Sequence, residues 1–397
     1  MHNRSINILL LTTVLTFSTL YVPQPILPLL AEDFSVSGSE ISLLISLTLF
    51  PLGLTPIVYG YLIDNISART ILHWFIGILA VTELSLAFVM DFRIMLGLRL
   101  LQGLLLPAIF TAIVTYISNL SAAHQRQKSV SRYIAATITG GFAGRFITGL
   151  ISDFSDWRTA FIVWSIGLLI AWSLLWKLQK DIPAQCNSLE ISGIWQMFKR
   201  PLHFRVYLTV SIVFFGFASA LNVLPFRIKD ISPEATESLI ASAYMGYLMG
   251  VLVSLNAQRI CARLGSEINS TILGILTFGV GFLLFTSTNL IIIIFAVFIF
   301  STGFFLMHST LSAYINHHTQ SQRGVANGLY ISFYYTGGSL GSYFPLIIYH
   351  NWGWYPYLIL VIISTMLGLS IVLGLNEAEK KMNKCNLPAP EVRLKRE

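Results

Sequence analysis

Residues 125–157, QRQKSVSRYIAATITGGFAGRFITGLISDFSDW, align without a gap on residues 322–354, QRGVANGLYISFYYTGGSLGSYFPLIIYHNWGW. Ten of the 33 positions are identical at this offset of 197: Gln125/Gln322, Arg126/Arg323, Tyr133/Tyr330, Ile134/Ile331, Thr139/Thr336, Gly140/Gly337, Gly141/Gly338, Gly144/Gly341, Ile151/Ile348 and Trp157/Trp354. The offset is almost half of the 397 residues. A parallel repeat of that size is what duplication of a half-chain leaves behind, and in membrane chains it marks transporters built from two like halves. The repeat breaks at one chemically loud place, where Arg145 stands opposite Ser342.

Working outward, hydrophobic residues make up 55% of the chain and charged residues only 11%. Soluble domains carry roughly 25% charged residues, so a water-exposed surface is excluded. Apolar stretches of about 20 residues, the length that crosses a bilayer as a helix, recur throughout. They predict an all-α integral membrane protein with twelve spans, at about 6–30, 40–60, 71–90, 94–117, 132–152, 158–177, 205–225, 237–257, 268–286, 290–312, 325–348 and 355–375. The first span is too long for a signal core and ends in proline-rich sequence, so no cleavable leader is read there.

With the N-terminus placed in the cytoplasm, 19 of the 25 Lys and Arg residues fall inside, four outside, and two (Arg99 and Arg145) within spans. The net charge of +7 therefore reports the positive-inside bias and not a nucleic-acid partner. Both termini are expected in the cytoplasm of a plasma-membrane protein. Cys186, Cys261 and Cys385 all fall on that side with no metal spacing and read as free thiols.

Only one connection is long. Residues 178–204 divide the chain into an N-terminal six-helix bundle, 1–177, and a C-terminal one, 205–375, followed by a disordered tail, 376–397. Within the linker Ile191, Ile194, Trp195 and Phe198 are spaced for a short amphipathic helix on the inner leaflet. Ser37 with Glu40 reads as a capping box opening span two. Ser232-Pro233-Glu234 gives a start signal before span eight.

Three motifs carry a resemblance. Between spans two and three the loop runs Gly60-Tyr-Leu-Ile-Asp64-Asn-Ile-Ser-Ala-Arg69-Thr70, span four holds Arg99-Leu-Leu-Gln102-Gly103, and span five holds Gly140, Gly141, Gly144 and Gly149. These resemble the loop, intramembrane-arginine and glycine-rich signatures of the major facilitator superfamily and, within it, of the drug:proton antiporter branch. The stretch from Gly140 to Arg158 and the run Tyr334-Tyr335-Thr336-Gly337-Gly338 are similar to the arabinose-efflux-like bacterial exporters. The chain departs from the pattern at Asn65 and Ser67, at Arg145, where the antiporter branch has proline, and at Arg259–Gly265, which lacks an acid. The resemblance implies two pseudo-symmetric six-helix bundles in the bacterial inner membrane. It also implies a gate on the inner side in which Gly60, Asp64 and Arg69 meet Arg323 at the start of span eleven.

The paired glycines Gly140, Gly141 and Gly144, and Gly337, Gly338 and Gly341, are expected to let helices pack closely. Well inside the spans the ionisable residues are Glu83, Arg99 and Arg145, with His308 nearer the inner end of span ten. A charge there costs about 2.5–3.5 kcal/mol on insertion scales, so each must be paired or functional. A Glu83–Arg99 pair would neutralise both and leave Arg145 for an anionic substrate group. Glu83 and His308 are the expected proton carriers. Three prolines, Pro23, Pro25 and Pro28, break the outer half of span one and free backbone groups that must face protein or a cavity. Gln24 at the break is expected to contact substrate together with Arg99 and Arg145, with Asn222, Phe215, Tyr334 and Tyr335 lining the opposing half of the path.

These readings point to a secondary active transporter, with no cofactor or metal, acting as a monomer on a small organic molecule such as a drug, sugar or siderophore. Proton-coupled export is the leading expectation, import on the same fold the alternative, and a non-transporting membrane sensor the third. No GxxxxGK[ST] loop supports an ATP-driven pump. No serine–histidine, metal or paired-carboxylate constellation supports an enzyme.

Overall fold

The computed structural model describes residues 2–55, 66–121, 125–179, 195, 197–319 and 322–385. Within these, span one comprises His2–Tyr21, a 3-10 turn Gln24–Ile26 and Leu27–Asp33, and span two comprises Gly38–Ile41 and Leu43–Leu54. Spans three to seven are Ala68–Leu86, Phe92–Leu120, Arg126–Phe154, Trp157–Leu175 and Pro201–Ile231. Span eight comprises Glu237–Ala243, a 3-10 stretch Tyr244–Leu248 and Met249–Leu264. Spans nine to twelve are Glu267–Phe285, Leu290–His318, Arg323–Trp352 and Trp354–Cys385. Ten of the described helices are long and apolar enough to cross a membrane, and Gly38–Leu54 is a shorter apolar helix. Arg323–Trp352 has the length, 30 residues, but is diluted by glycine, serine and tyrosine.

Local sequence sets the helix ends. The Ser37 hydroxyl accepts from the Glu40 amide while the Glu40 carboxylate accepts from the Ser37 amide, the reciprocal capping box. Asp91, Asp156, Ser266 and Asn289 cap spans four, six, nine and ten through their side chains. Gly265 and Gly353 turn the chain into spans nine and twelve at φ of 79° and 86°, a region closed to most side chains.

Three boundaries differ from expectation. Ser232 ends span seven, and Thr236 caps span eight by accepting from the Leu239 amide at 3.3 Å; Pro233 lies in the turn between them. Span seven begins at Pro201, whose fixed φ suits a first helical position. Span twelve runs to Cys385, ten residues past its apolar stretch, because the Glu, Ala and Lys that extend it are good helix formers. Ile191, Ile194 and residues 386–397 lie outside the described residues. Trp195 is exposed, whereas Phe198 packs on Phe204 and Phe333 with ring centroids 6.3 and 5.9 Å apart.

Close helix approaches organise each half. A Cβ on Gly140 would lie 2.5 Å from the Val14 carbonyl, and one on Gly144 would strike the Ser18 backbone, its Cα at 2.7 Å. In the second half Gly337 lies on the Ser211 backbone and Gly341 on that of Phe215. Val14/Ser211 and Ser18/Phe215 stand 197 residues apart, as the glycines do. Spans one and five thus meet by the same contact as spans seven and eleven. The end of the molecule at which span six finishes, at Leu175, and span seven starts, at Pro201, is the linker end, and the opposite helix ends form the far end.

Candidate functional site

A cavity of about 1670 Å³ runs between the halves. Its mouth is at the linker end, among Ser131, Gln258, Glu267, His317 and Gln322. Its inner wall is aromatic: Phe17, Tyr21 and Phe110 from the first half face Tyr247, Tyr334 and Tyr335 from the second. Phe17 stacks on Phe110 at 3.9 Å, and Tyr334 stacks on Phe214 at 3.8 Å. Among the described residues no Lys or Arg lines this space, and Glu267 is its one acid, at the mouth.

Arg145 lies just beyond the blind end. Tyr21 and Tyr247 line both the cavity and a much smaller pocket that holds Arg145, Gln24 and Ser342. The guanidinium carbon sits 3.8 Å from the Tyr21 ring centre, 4.6 Å from Tyr247 and 5.4 Å from Tyr244. Arg145 is 1% exposed, and aromatic faces offset part of the cost of holding a desolvated cation. Its Nε donates to Gln24 Oε1, and its Nη1 to the Gly141 carbonyl at 2.5 Å. No carboxylate lies within 4 Å of it among the described residues.

Two broken helices supply these partners. The proline break in span one presents Tyr21 and Gln24, as its sequence suggests. The 3-10 stretch of span eight presents Tyr244 and Tyr247. This second break contains no proline, and the sequence does not announce it. Gly246 is pressed there against the backbone of span ten, where a Cβ would lie 2.6 Å from the Phe298 nitrogen. Discontinuous helices facing a midplane cavity are where transporters expose polar backbone and side chains to a substrate.

From Arg145 a run of polar contacts crosses to the second half. Gln24 Nε2 donates to Asn222 Oδ1, and Asn222 Nδ2 donates to the Ser342 carbonyl at 3.1 Å. Residues 145 and 342, the mismatch in the repeat, are therefore joined through two carboxamides. The Ser342 hydroxyl itself is buried and, among the described residues, without a partner.

This run of bonds belongs to a closed far end. The Ser46 hydroxyl donates to the Ser339 carbonyl at 2.8 Å, and the Ser339 hydroxyl returns a bond to the Ser46 carbonyl at 3.0 Å. The Ser238 hydroxyl donates to Asp153, and Gly38 abuts His350. The molecule is open at one end and sealed at the other.

Glu83 and Arg99, expected as a pair, do not touch. Gln102 stands between them, donating to Glu83 at 2.6 Å and accepting from Arg99 at 2.7 Å. Arg99 also donates to the carbonyls of Leu44, Thr19 and Leu20 at 3.0, 2.9 and 2.8 Å. The Thr19 and Leu20 carbonyls are within reach because span one breaks just after them, at Tyr21. Arg99 thus ties spans one, two and four together and lines no part of the cavity. Glu83, fully buried, is likewise shut off from it. His308 does line the cavity, with Nδ1 2.9 Å from the Tyr330 hydroxyl, which also reaches the His308 carbonyl at 3.0 Å. With the Tyr330 hydroxyl donating to that carbonyl, the Nδ1 tautomer that fits donates its N–H to the Tyr330 oxygen, which leaves Nε2 as the acceptor nitrogen.

Tyr334 and Tyr335 line the cavity; Asn222 lies in the seal and Phe215 on the span seven–eleven contact. Gly60 and Asp64 fall outside the described residues. Arg69 donates to the Trp176 carbonyl at 3.2 Å, and Arg323 to that of Thr319 at 2.8 Å. A Cβ on Gly141 would lie 3.1 Å from the Tyr247 ring, and Gly338 abuts Phe214.

Comparison with known proteins agrees with this architecture. The chain is 28% identical over 373 residues to the inner membrane transport protein YnfM of Escherichia coli, covering 90% of this chain and 87% of that one. It is 22% identical over 357 residues to the quinolone resistance protein NorA of Staphylococcus aureus, covering 87% and 89%. Its fold matches the crystal structure of the nucleoside transporter NupG with a TM-score of 0.76 at 14% identity, over 96% of this chain and 99% of that one. Residues 9–342 match the family model of the Major Facilitator Superfamily, and the chain belongs to that superfamily.

Proposed function

We propose that this transporter exports a small organic molecule in exchange for protons, by alternating access, with the linker end in the cytoplasm. The observation that carries the reading is the central cavity of about 1670 Å³, open at the linker end and sealed beyond Arg145. Substrate enters from the linker end, packs against the aromatic wall and reaches Arg145 by parting Tyr21 and Tyr247. The excess of Lys and Arg near the linker end supports the orientation. Similarity to a quinolone resistance protein supports the outward direction.

In this reading His308 carries the coupling proton, since it alone of the expected carriers lines the cavity. Glu83 holds the frame through Gln102. Asp64 and Arg69 gate the linker end against Arg323.

The test has two stages. Comparing small molecules released by cells with and without the protein identifies a substrate. That substrate is then added to inside-out vesicles with an acidified lumen. Antiport makes the lumen more alkaline on addition; import by symport on the same fold makes it more acidic, and no substrate-dependent flux sinks transport altogether. Replacing His308 by glutamine should remove the proton signal while leaving substrate binding.

A further inference from the structure

The small pocket beyond the cavity is already lined by a cation, Arg145, by the Gln24 carboxamide and by the Ser342 hydroxyl, which has no partner among the described residues. We propose that it is a carboxylate site, and that a carboxylate arriving there releases the two halves at their far end. The inference deepens the transport reading, and rests on it for the route by which the anion arrives.

Arg145 and Ser342 both line this pocket, together with Gln24, Ile45, Leu49 and Leu221. Its cavity volume of about 10 Å³ is at the lower limit of the ~10–15 Å³ that a single water needs, far too little for an organic anion. A ligand therefore cannot be added to this state; it must replace something. The replaceable group is the Gln24 carboxamide. Its oxygen is a neutral acceptor on Arg145, and an ionised carboxylate is a stronger acceptor for a guanidinium, with two oxygens to give. One oxygen takes Arg145, and the other accepts from the Ser342 hydroxyl, which is 0% exposed and donates to none of the described residues in this state.

Gln24 then loses its cation and swings from the pocket. With it goes the donor that holds Asn222, the one side-chain link between spans one and seven in this run of bonds. The remaining far-end contacts include two serine bonds between spans two and eleven and the Ser238–Asp153 bond. Gln24 and Asn222 are thus positioning residues: they make far-end opening depend on occupancy of the site. An anion is favoured because, among the described residues, no other Lys or Arg stands on the route, and Arg99 is committed to four acceptors. An aromatic carboxylate is favoured because the path to Arg145 runs between Tyr21 and Tyr247.

The experiment uses the full chain in vesicles, with Cys186, Cys261 and Cys385 replaced by serine and a reporter Ile45→Cys. The reporter is fully buried in this state and becomes reachable when the far end opens. A membrane-impermeant maleimide is offered to the far side, and the labelling rate of folded, monodisperse protein is measured. Gln24→Leu and, from the other side, Asn222→Leu should each speed labelling about fivefold, the shift that losing one hydrogen bond gives. Millimolar benzoate should speed labelling of the parent about threefold while benzamide, its neutral isostere, does nothing. The benzoate effect should vanish in Arg145→Gln and weaken in Ser342→Ala.

Unchanged labelling in both Gln24→Leu and Asn222→Leu overturns the latch. A benzoate effect that is absent from the parent, equal for benzamide, or retained in Arg145→Gln overturns the carboxylate site. Neither readout needs flux, so a protein that labels as expected but carries nothing would sink the export reading and leave this one standing.

Discussion

Spans one and five of the first half, and spans seven and eleven of the second, share one contact and differ at the residue next to it. Gly140 and Gly144 lie on the backbones at Val14 and Ser18; Gly337 and Gly341 lie on those at Ser211 and Phe215. One residue beyond the third glycine, the first half buries Arg145 among tyrosines, and the second buries Ser342 with a spare hydroxyl. A close backbone contact tolerates no change in either copy, so duplication preserved it. The next residue points into the space between the halves, where the two copies face one pocket from opposite sides. Two arginines there would repel each other, and two serines would bind little. In the proposed reading, divergence at this position turns a symmetric frame into a site.

The far ends repeat the lesson more quietly. Asp33 accepts from the Trp157 indole at 3.2 Å and pairs with Arg158 at 3.2 Å. Asp230 and Trp354, each 197 residues on, do not bond. Asp230 accepts from Tyr349 instead, and Arg227 lies 4.3 Å over a Trp354 ring whose nitrogen has no partner among the described residues.

The largest expected effect breaks the comparison outright. Arg145→Ala should cut vesicle flux at least about tenfold at normal expression, the loss of one charge-assisted contact, while Ser342→Ala stays within about threefold. Combining Arg145→Ser with Ser342→Arg should not restore flux, because Gln24 and the tyrosines serve position 145 alone. Full recovery in that double variant would show the halves to be interchangeable after all.

Next come the shared contacts. Gly144→Ala and Gly341→Ala should each lower stability by about 1–3 kcal/mol, the cost of forcing a methyl into a packed interface, read as thermal unfolding in detergent. Equal losses support a common frame; a loss confined to one variant would mean that only one helix pair is tightly held.

A smaller effect concerns Asp64 and its offset partner Cys261, near the end of span eight. Asp64→Asn should slow turnover several-fold, worth about 1 kcal/mol at most, with apparent affinity unchanged. Cys261→Asp, placing an acid at the offset position, should not compensate. A pure affinity defect in Asp64→Asn would remove it from gating. Smallest of all, Trp157→Phe should cost about 1 kcal/mol, whereas Trp354→Phe should cost almost nothing, since its indole nitrogen loses no bond. Calorimetry on the two variants separates these outcomes.

Much of the frame was legible because its causes are local or repeated. Hydrophobic length gave the spans, the prolines gave the break beside Gln24, and the offset of 197 gave the paired contacts. The site was half legible. Arg145 stood out because a charge at membrane depth is costly, and Gln24 because it sits at a break. Tyr244 and Tyr247 did not, because no proline marks the unwinding of span eight; the tight approach of Gly246 to span ten is a fact of packing. The direct Glu83–Arg99 pair failed for a related reason. Matching depth along two helices says nothing about which faces meet, and Gln102, one helical turn from Arg99, occupies the space between.

What the sequence by itself determined is the membrane fold, its duplication, and a cation at membrane depth, Arg145, that faces a serine across the repeat. Periodicity, length and charge act residue by residue and need no knowledge of neighbours. Only the tertiary structure decided that Arg145 and Ser342 meet through Gln24 and Asn222, that Arg99 is saturated by backbone carbonyls, and that the cavity opens at one end. Those outcomes depend on how residues from 55 to 198 positions apart share a few ångströms of space, and no pattern along the chain encodes that sharing.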